Sequence, residues 1–198
     1  MNDTSTAPGD PDESSLAELV GGVVRELREK SGLSMRELAK RAGISQPFLS
    51  QIERGISAPS MITTYRLAAA LEVTPGDLLP SPAPDRVTVV RSDEGLRLPV
   101  ADRPDAAVGR ALHMRPNSPL EVIEYLVEPG QFIGGWFEST GVTGVYVVTG
   151  HLDVELVGVG RIRLGPRDFV DFPSTLRDRW HLVDDHPAHV LLVIAQPR

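Results

Sequence analysis

The chain has 198 residues, 41% of them hydrophobic and 24% charged, with a formal net charge of -7. That composition fits a globular protein of one medium or two small domains. The absence of cysteine excludes disulfides, thiolate zinc sites and cysteine nucleophiles, and the overall acidity by itself disfavours a nucleic-acid partner.

In chain order, the first 15 residues are polar and acidic and read as a disordered tail, with no signal-peptide pattern. From Leu16 the apolar residues Leu19, Val20, Val23, Val24 and Leu27 recur at helical spacing, and Ser31-Gly32 stops that helix. Ser34 and Glu37 form a capping box that opens a short helix through about Ala42, closed by Gly43. Ser45 is the next N-cap, with Pro47 in the first turn, and that helix runs to Arg54 and Gly55. A fourth helix starts at Pro59-Ser60 and runs to about Leu71, and a last helical turn follows Thr74-Pro75. This gives a helical domain over 16–79, with two short helices and a tight glycine turn at its centre, 35–55.

The proline-rich stretch 80–86 then reads as a stiff linker. Beyond it the period changes to short strand-like runs at Val87–Val90, Val122–Val127, Val145–Val148, Leu152–Val157, Arg161–Leu164, Phe169–Phe172 and Val190–Ile194. Glycine-rich turns separate most of them, which predicts a β-sandwich or barrel over 87–198, with its core at 121–195. Residues 91–120 carry no clear pattern. Phosphate-loop, nucleophile-elbow and H-E-x-x-H motifs are absent, and Gly158-x-Gly160 reads as a hairpin turn.

Charge is unevenly placed. Residues 25–66 hold eight bases and four acids, whereas residues 1–24 hold five acids and no base. Residues 121–198 hold six bases and eleven acids. The one net-positive segment coincides with the paired short helices. On the third helix Leu49 and Ile52 face inward, leaving Gln46, Pro47, Ser50, Gln51 and Arg54 outside. Gln pairs in bidentate fashion with adenine, and Arg with guanine or phosphate.

On Leu38-Ala39, Gly43, Ser45-Gln46, the run Leu49 to Gly55, Pro59-Ser60, Leu67-Ala68 and Leu71, residues 25–79 resemble the lambda-repressor/XRE helix-turn-helix family. The resemblance implies a five-helix DNA-binding domain. It places Gln46, Pro47 and Gln51 at base-facing positions, Ser45 and Ser50 beside them, and Arg36 and Arg54 at phosphate or base contacts, with Glu53 structural. A helical bundle that binds a protein partner is the plainer alternative.

Gly130, Gly150, Pro173 and the strand rhythm resemble the cupin superfamily of jelly-roll β-barrels. The positions that hold metal ligands in cupins carry Trp136, Glu138, Thr143 and Asp178 here, so no metal or other cofactor is implied. Trp136, Glu138, Tyr146 and Asp178, with either Trp180 or His181, are the candidates for a small-molecule pocket. Aromatic walls and carboxylates would suit an amine or another cation. The combined resemblance is to a two-domain, cytoplasmic, nucleoid-associated bacterial regulator, not an enzyme and without a membrane partner. It implies a homodimer on an inverted-repeat operator, acting as a repressor under a small effector. A cupin metalloenzyme with a DNA-binding head, and a constitutive DNA-binding protein whose barrel only dimerises, are the other readings.

Overall fold

The computed structural model describes residues 13–79, 87–116 and 118–196. Four α-helices come first: α1 (Glu13–Lys30), α2 (Met35–Ala42), α3 (Gln46–Glu53) and α4 (Met61–Leu71). The expected fifth helix is a single 3-10 turn, Pro75–Leu78. Because α1 starts at Glu13, residues 13–15 are helical and do not belong to the tail expected over 1–15. The rest of that tail, and the linker expected at 80–86, lie outside the described residues.

Local chemistry fixes the helix ends. The Ser34 hydroxyl accepts from the Glu37 amide at 3.2 Å, while the Ser34 amide donates to the Glu37 carboxylate at 2.9 Å. Gly43 closes α2 at φ 65°, a left-handed conformation that costs a glycine little. The Ser45 and Ser60 hydroxyls accept from the Phe48 and Thr63 amides, capping α3 and α4. Val24, Leu38, Leu49, Ile52 and Leu67 are fully buried between the helices. The α1 and α3 backbones touch at Gly21, where a Cβ would sit 2.2 Å from the Ile52 carbonyl oxygen. The Arg28 guanidinium donates to both carboxylate oxygens of Glu53, at 2.6 and 2.9 Å, tying α1 to the end of α3.

Nine strands follow: β1 (Leu96–Pro99), β2 (Val108–Met114), β3 (Leu120–Val127), β4 (Val142–Thr149), β5 (Leu152–Leu156), β6 (Gly160–Leu164), β7 (Phe169–Pro173), β8 (Asp178–Leu182) and β9 (Ala188–Ala195). They form a six-stranded sheet, β1-β2-β3-β9-β4-β7, and a three-stranded sheet, β6-β5-β8, paired antiparallel throughout. Ile123, Tyr125, Val145, Val190 and Ile194 from the larger sheet and Leu152 and Val154 from the smaller are buried, the inner layer of a cupin-like jelly roll. Two expectations change. Val87–Val90 is not a strand; Val87 and Val89 are exposed and pair with nothing in either sheet. The unpatterned stretch 91–120 supplies β1 and β2, and the alternation expected at Trp180 and His181 belongs to a strand, β8, absent from the runs above.

Helix α4 joins the two parts. At its start, Asp102 of the β domain accepts from the Ser60 amide at 3.1 Å and from the Thr63 hydroxyl at 2.6 Å. At its middle, the Tyr65 hydroxyl donates to the buried Glu121 carboxylate on β3. Beyond its end, Gly76 lies so close to the Arg115 backbone that a Cβ would stand 2.2 Å from the Arg115 carbonyl oxygen.

Candidate nucleic-acid interface and the cavity behind it

α3 has two unlike faces. Its inner face carries Leu49 and Ile52, both fully buried. Its outer face carries Gln46, Pro47 and Gln51, all exposed, with Ser50 half-buried between them. Ser45 is exposed at the N-terminus of the helix, Arg36 is exposed on α2, and Arg54 is exposed at the far end of α3. Arg54 folds back, its Nε donating to the Ser50 carbonyl at 3.1 Å. By helical periodicity Gln46, Pro47, Ser50, Gln51 and Arg54 lie along one side of α3. Glu53 points the other way, into the Arg28 pair, where its side chain is only 6% exposed. Lys40 and Arg41, both exposed in the last turn of α2, add positive charge that the sequence reading did not single out.

Behind α4 lie two cavities that share Ile62, Tyr65 and Phe137 as walls. The inner one, about 60 Å³, lies between α4 and the jelly roll, with Met61, Ile62 and Tyr65 of α4 along one side. The outer one, about 690 Å³, is the cleft between α4 and the 136–140 loop. The Tyr65 and Phe137 rings meet edge to face at 5.1 Å between them. Asp178 lines the inner cavity with only 6% of its surface exposed. Burial in this apolar setting pushes its carboxyl up to about 7, opposed by the nearby Trp180 indole N–H, which completes no hydrogen bond of its own. Burial likewise raises Glu121, opposed by the hydrogen bond from Tyr65.

The sequence candidates for the pocket divide. Asp178 and Trp180 line the inner cavity, and Trp180 stacks edge to face on Tyr125 at 5.7 Å. Trp136 and Glu138 lie in the outer cleft, where Glu138 faces Arg177 at 3.8 Å and Arg179 stands 4.6 Å from the Trp136 ring centroid. Tyr146 and His181 line neither cavity. Tyr146 pairs with Leu191 and Phe169 across the larger sheet. His181 lies 2.7 Å from Glu155, whose carboxyl is held at about 2, chiefly by hydrogen bonds from Arg179 and His181. The alternation of β8 resolves the earlier choice: Trp180 faces inward and His181 outward. Tyr65, Tyr125 and Phe137 complete the inner walls and were missed. One signal was available, because α4, MITTYRLAAAL, is apolar nearly all round and must be covered on two sides.

The cupin metal positions do not make a metal site. Trp136 and Glu138 face the outer cleft, Asp178 lines the inner cavity, and the Thr143 hydroxyl is bonded to Ser174 at 2.7 Å. Among the described residues no group of three or more His, Asp and Glu is placed to hold a metal ion.

The helical half is a capped helix-turn-helix with a polar outer face, followed by an antiparallel β domain. The comparisons agree. The HTH_3 helix-turn-helix family model matches residues 24–78. An HTH-type transcriptional regulator of Sinorhizobium fredii, y4dJ, is 42% identical over 64 residues, which are 32% of this chain and 83% of the relative. A Mycobacterium tuberculosis HTH-type transcriptional regulator is 46% identical over 54 residues, 27% of this chain and 39% of that protein. The chain thus spans about two fifths of the mycobacterial relative's length. The crystal structure of an HTH_3 family transcriptional regulator from Vibrio cholerae shares the fold across 94% of this chain and 100% of its own, with a TM-score of 0.64 at 19% identity. The chain belongs to the HTH_3 (XRE-type) family of transcriptional regulators. Among the described residues no helix is long and apolar enough to cross a membrane.

Proposed function

We propose that the protein is a cytoplasmic, non-enzymatic repressor that binds an inverted-repeat operator as a homodimer and senses a small molecule through its β domain. The observation that carries the DNA-binding half is the two-faced α3. Gln46, Pro47 and Gln51 project from a helix whose back is anchored by Leu49 and Ile52. Arg36, Lys40 and Arg54 flank this face and suit phosphate contacts. Leu120, Val142 and Phe169 are exposed on the outer face of the larger sheet, which supports pairing of two chains through the β domain. The sensor role rests on α4. A ligand in the inner cavity would touch Met61, Ile62 and Tyr65 of the DNA-binding part directly. Regulation then requires only that the ligand prefer one placement of α4 over another.

Selection of bound sites from random duplexes tests this reading. The expected product is an inverted repeat with half-site centres about 34 Å apart, or one helical turn, and two chains bound per site. Recovery of a single unpaired half-site by a monomer would remove the dimeric repressor.

A further inference from the structure

The inner cavity has an uneven chemistry. Its surface is mostly apolar, from Ile62, Tyr65, Phe137 and Ile194. Three polar groups interrupt it at one side: the Asp178 carboxyl, the Tyr125 hydroxyl and the Trp180 indole N–H. Tyr125 is 4% exposed and Asp178 6% exposed. Trp180 Nε1 is fully buried and completes no hydrogen bond among the described residues, and it lies near the Asp178 carboxyl. Buried polar groups are almost always paired, because each unmet one costs on the order of 1–3 kcal/mol. An unpaired Trp180 indole N–H in a cavity also lined by the buried Asp178 and Tyr125 therefore points to a molecule that meets it.

The charge balance narrows its class. Arg179, which also lines the cavity, donates to Glu155 at 2.7 Å and lies over the Trp136 ring, so Glu155 takes up its charge while its Nε stays buried without a partner among the described residues. No further cation or carboxylate lines the wall beside Asp178. A buried anion would find no free countercharge. A buried cation would have to ionise Asp178 in an apolar setting, a pairing that rarely repays its desolvation. An uncharged head that both donates and accepts satisfies Asp178 and Tyr125 without that cost. At about 60 Å³ the space equals about four to six water positions, which limits the ligand to a handful of heavy atoms.

We propose that the inner cavity binds a small uncharged amphiphile of the primary-amide type, its polar head between Asp178 and Tyr125 and its short apolar tail against Ile62, Tyr65 and Phe137. This rests on the sensor reading above and gives that site its ligand class.

The test uses the full chain, labelled with ¹⁵N, and follows the Trp180 indole resonance. Trp136→Phe assigns it, because the chain has only 2 tryptophans. The probes are butanamide, n-butylammonium and butanoate, of equal chain length. At roughly half the best efficiency per heavy atom, affinity for so small a probe is expected to be about millimolar. Butanamide is expected to shift the resonance saturably, and the two ions to leave it in place. Tyr125→Phe should weaken butanamide by about three- to tenfold, the loss of one hydrogen bond. Asp178→Asn, which is isosteric and uncharged, should keep binding within about threefold. Equal or tighter binding of either ion overturns the proposed class. If Asp178→Asn abolishes binding, the uncharged head is wrong. If no probe moves the resonance while selected operator DNA is still bound, the cavity holds only water; the DNA-binding reading then stands and the ligand site falls. A chain that binds butanamide but no DNA would reverse that outcome.

Discussion

The two halves of this chain keep their polar chemistry on opposite sides of their cores. In the helical part the buried polar groups, Glu53 with Arg28 and Ser60, Thr63 and Thr64 at the start of α4, are paired within the protein, and the groups proposed to read DNA stand outside on α3. In the β part the outer sheet face exposes Leu120, Val142 and Phe169, while Glu121, Asp153 and Asp178 are buried. The helical part thus carries its proposed partner-reading groups on the surface, and the β part buries polar groups beside a cavity. The difference shows that charge averaged over a whole chain says little about partners. The net-positive stretch 25–66 and the acidic stretch 121–198 belong to different tasks.

Three perturbations break or sharpen this contrast, in decreasing size. Glu53→Ala leaves Arg28 without its bidentate partner in a site where the two side chains are only 12% and 6% exposed. A loss of about 3–5 kcal/mol is expected from the unpaired buried charge. Urea unfolding followed by helical circular dichroism reads it, and a loss below about 1 kcal/mol would show that the α1–α3 pair is dispensable.

Asp178→Asn probes the other side. The Asp178 carboxyl is raised to about 7 in the folded chain, against about 3.9 in an unfolded one. The folded state therefore binds the proton more tightly. Stability from this group is full below about pH 3.9 and is lost as pH rises through 7, by as much as roughly 4 kcal/mol for a shift of this size. Glu155 runs the opposite way. Held at about 2 by Arg179 and His181, it contributes above its ordinary value and loses that contribution as the pH falls toward 2. The β domain should accordingly be steadier at pH 5 than at pH 8, and Asp178→Asn should flatten the difference. Thermal melts of both proteins at the two pH values check this; an unchanged slope in the variant would place the titration elsewhere.

Tyr65→Phe is the smallest change. It removes the hydroxyl that α4 donates to buried Glu121, leaving that carboxyl only a long contact from Gln196. A loss of about 1–3 kcal/mol is expected in the chain as a whole. If helices and sheets melt together in the wild type but separately in this variant, α4 is the coupling element.

The helical part was legible from sequence because its signals are short-range. Ser34 with Glu37, Ser45, Ser60 and Gly43 lie within a few residues of the amides or carbonyls they satisfy. The β part was legible where short apolar or alternating runs stood between turn signals, as in β3, β4, β5, β6, β7 and β9. β8 reads DRWHL and carries too much charge to look like a strand, because its outward residues join the Glu155 network. The pocket was half legible for a related reason. Cupin spacing put Trp136, Glu138 and Asp178 in one set, but the glycine-containing loop at 134–141 carries the first two into the outer cleft. Tyr65 and Tyr125 were invisible as site residues, since only the packing of α4 against the β domain brings them to one cavity.

The central claim is that α3 reads DNA bases through Gln46 and Gln51. It is tested most directly by the double variant Gln46→Ala/Gln51→Ala, with affinity measured at one salt concentration for the selected operator and for a scrambled duplex. Each lost bidentate contact is worth about 1–3 kcal/mol. The ratio of specific to nonspecific affinity should fall at least about thirtyfold while binding to the scrambled duplex changes little. A ratio that survives the double substitution would contradict the account and move recognition off this helix.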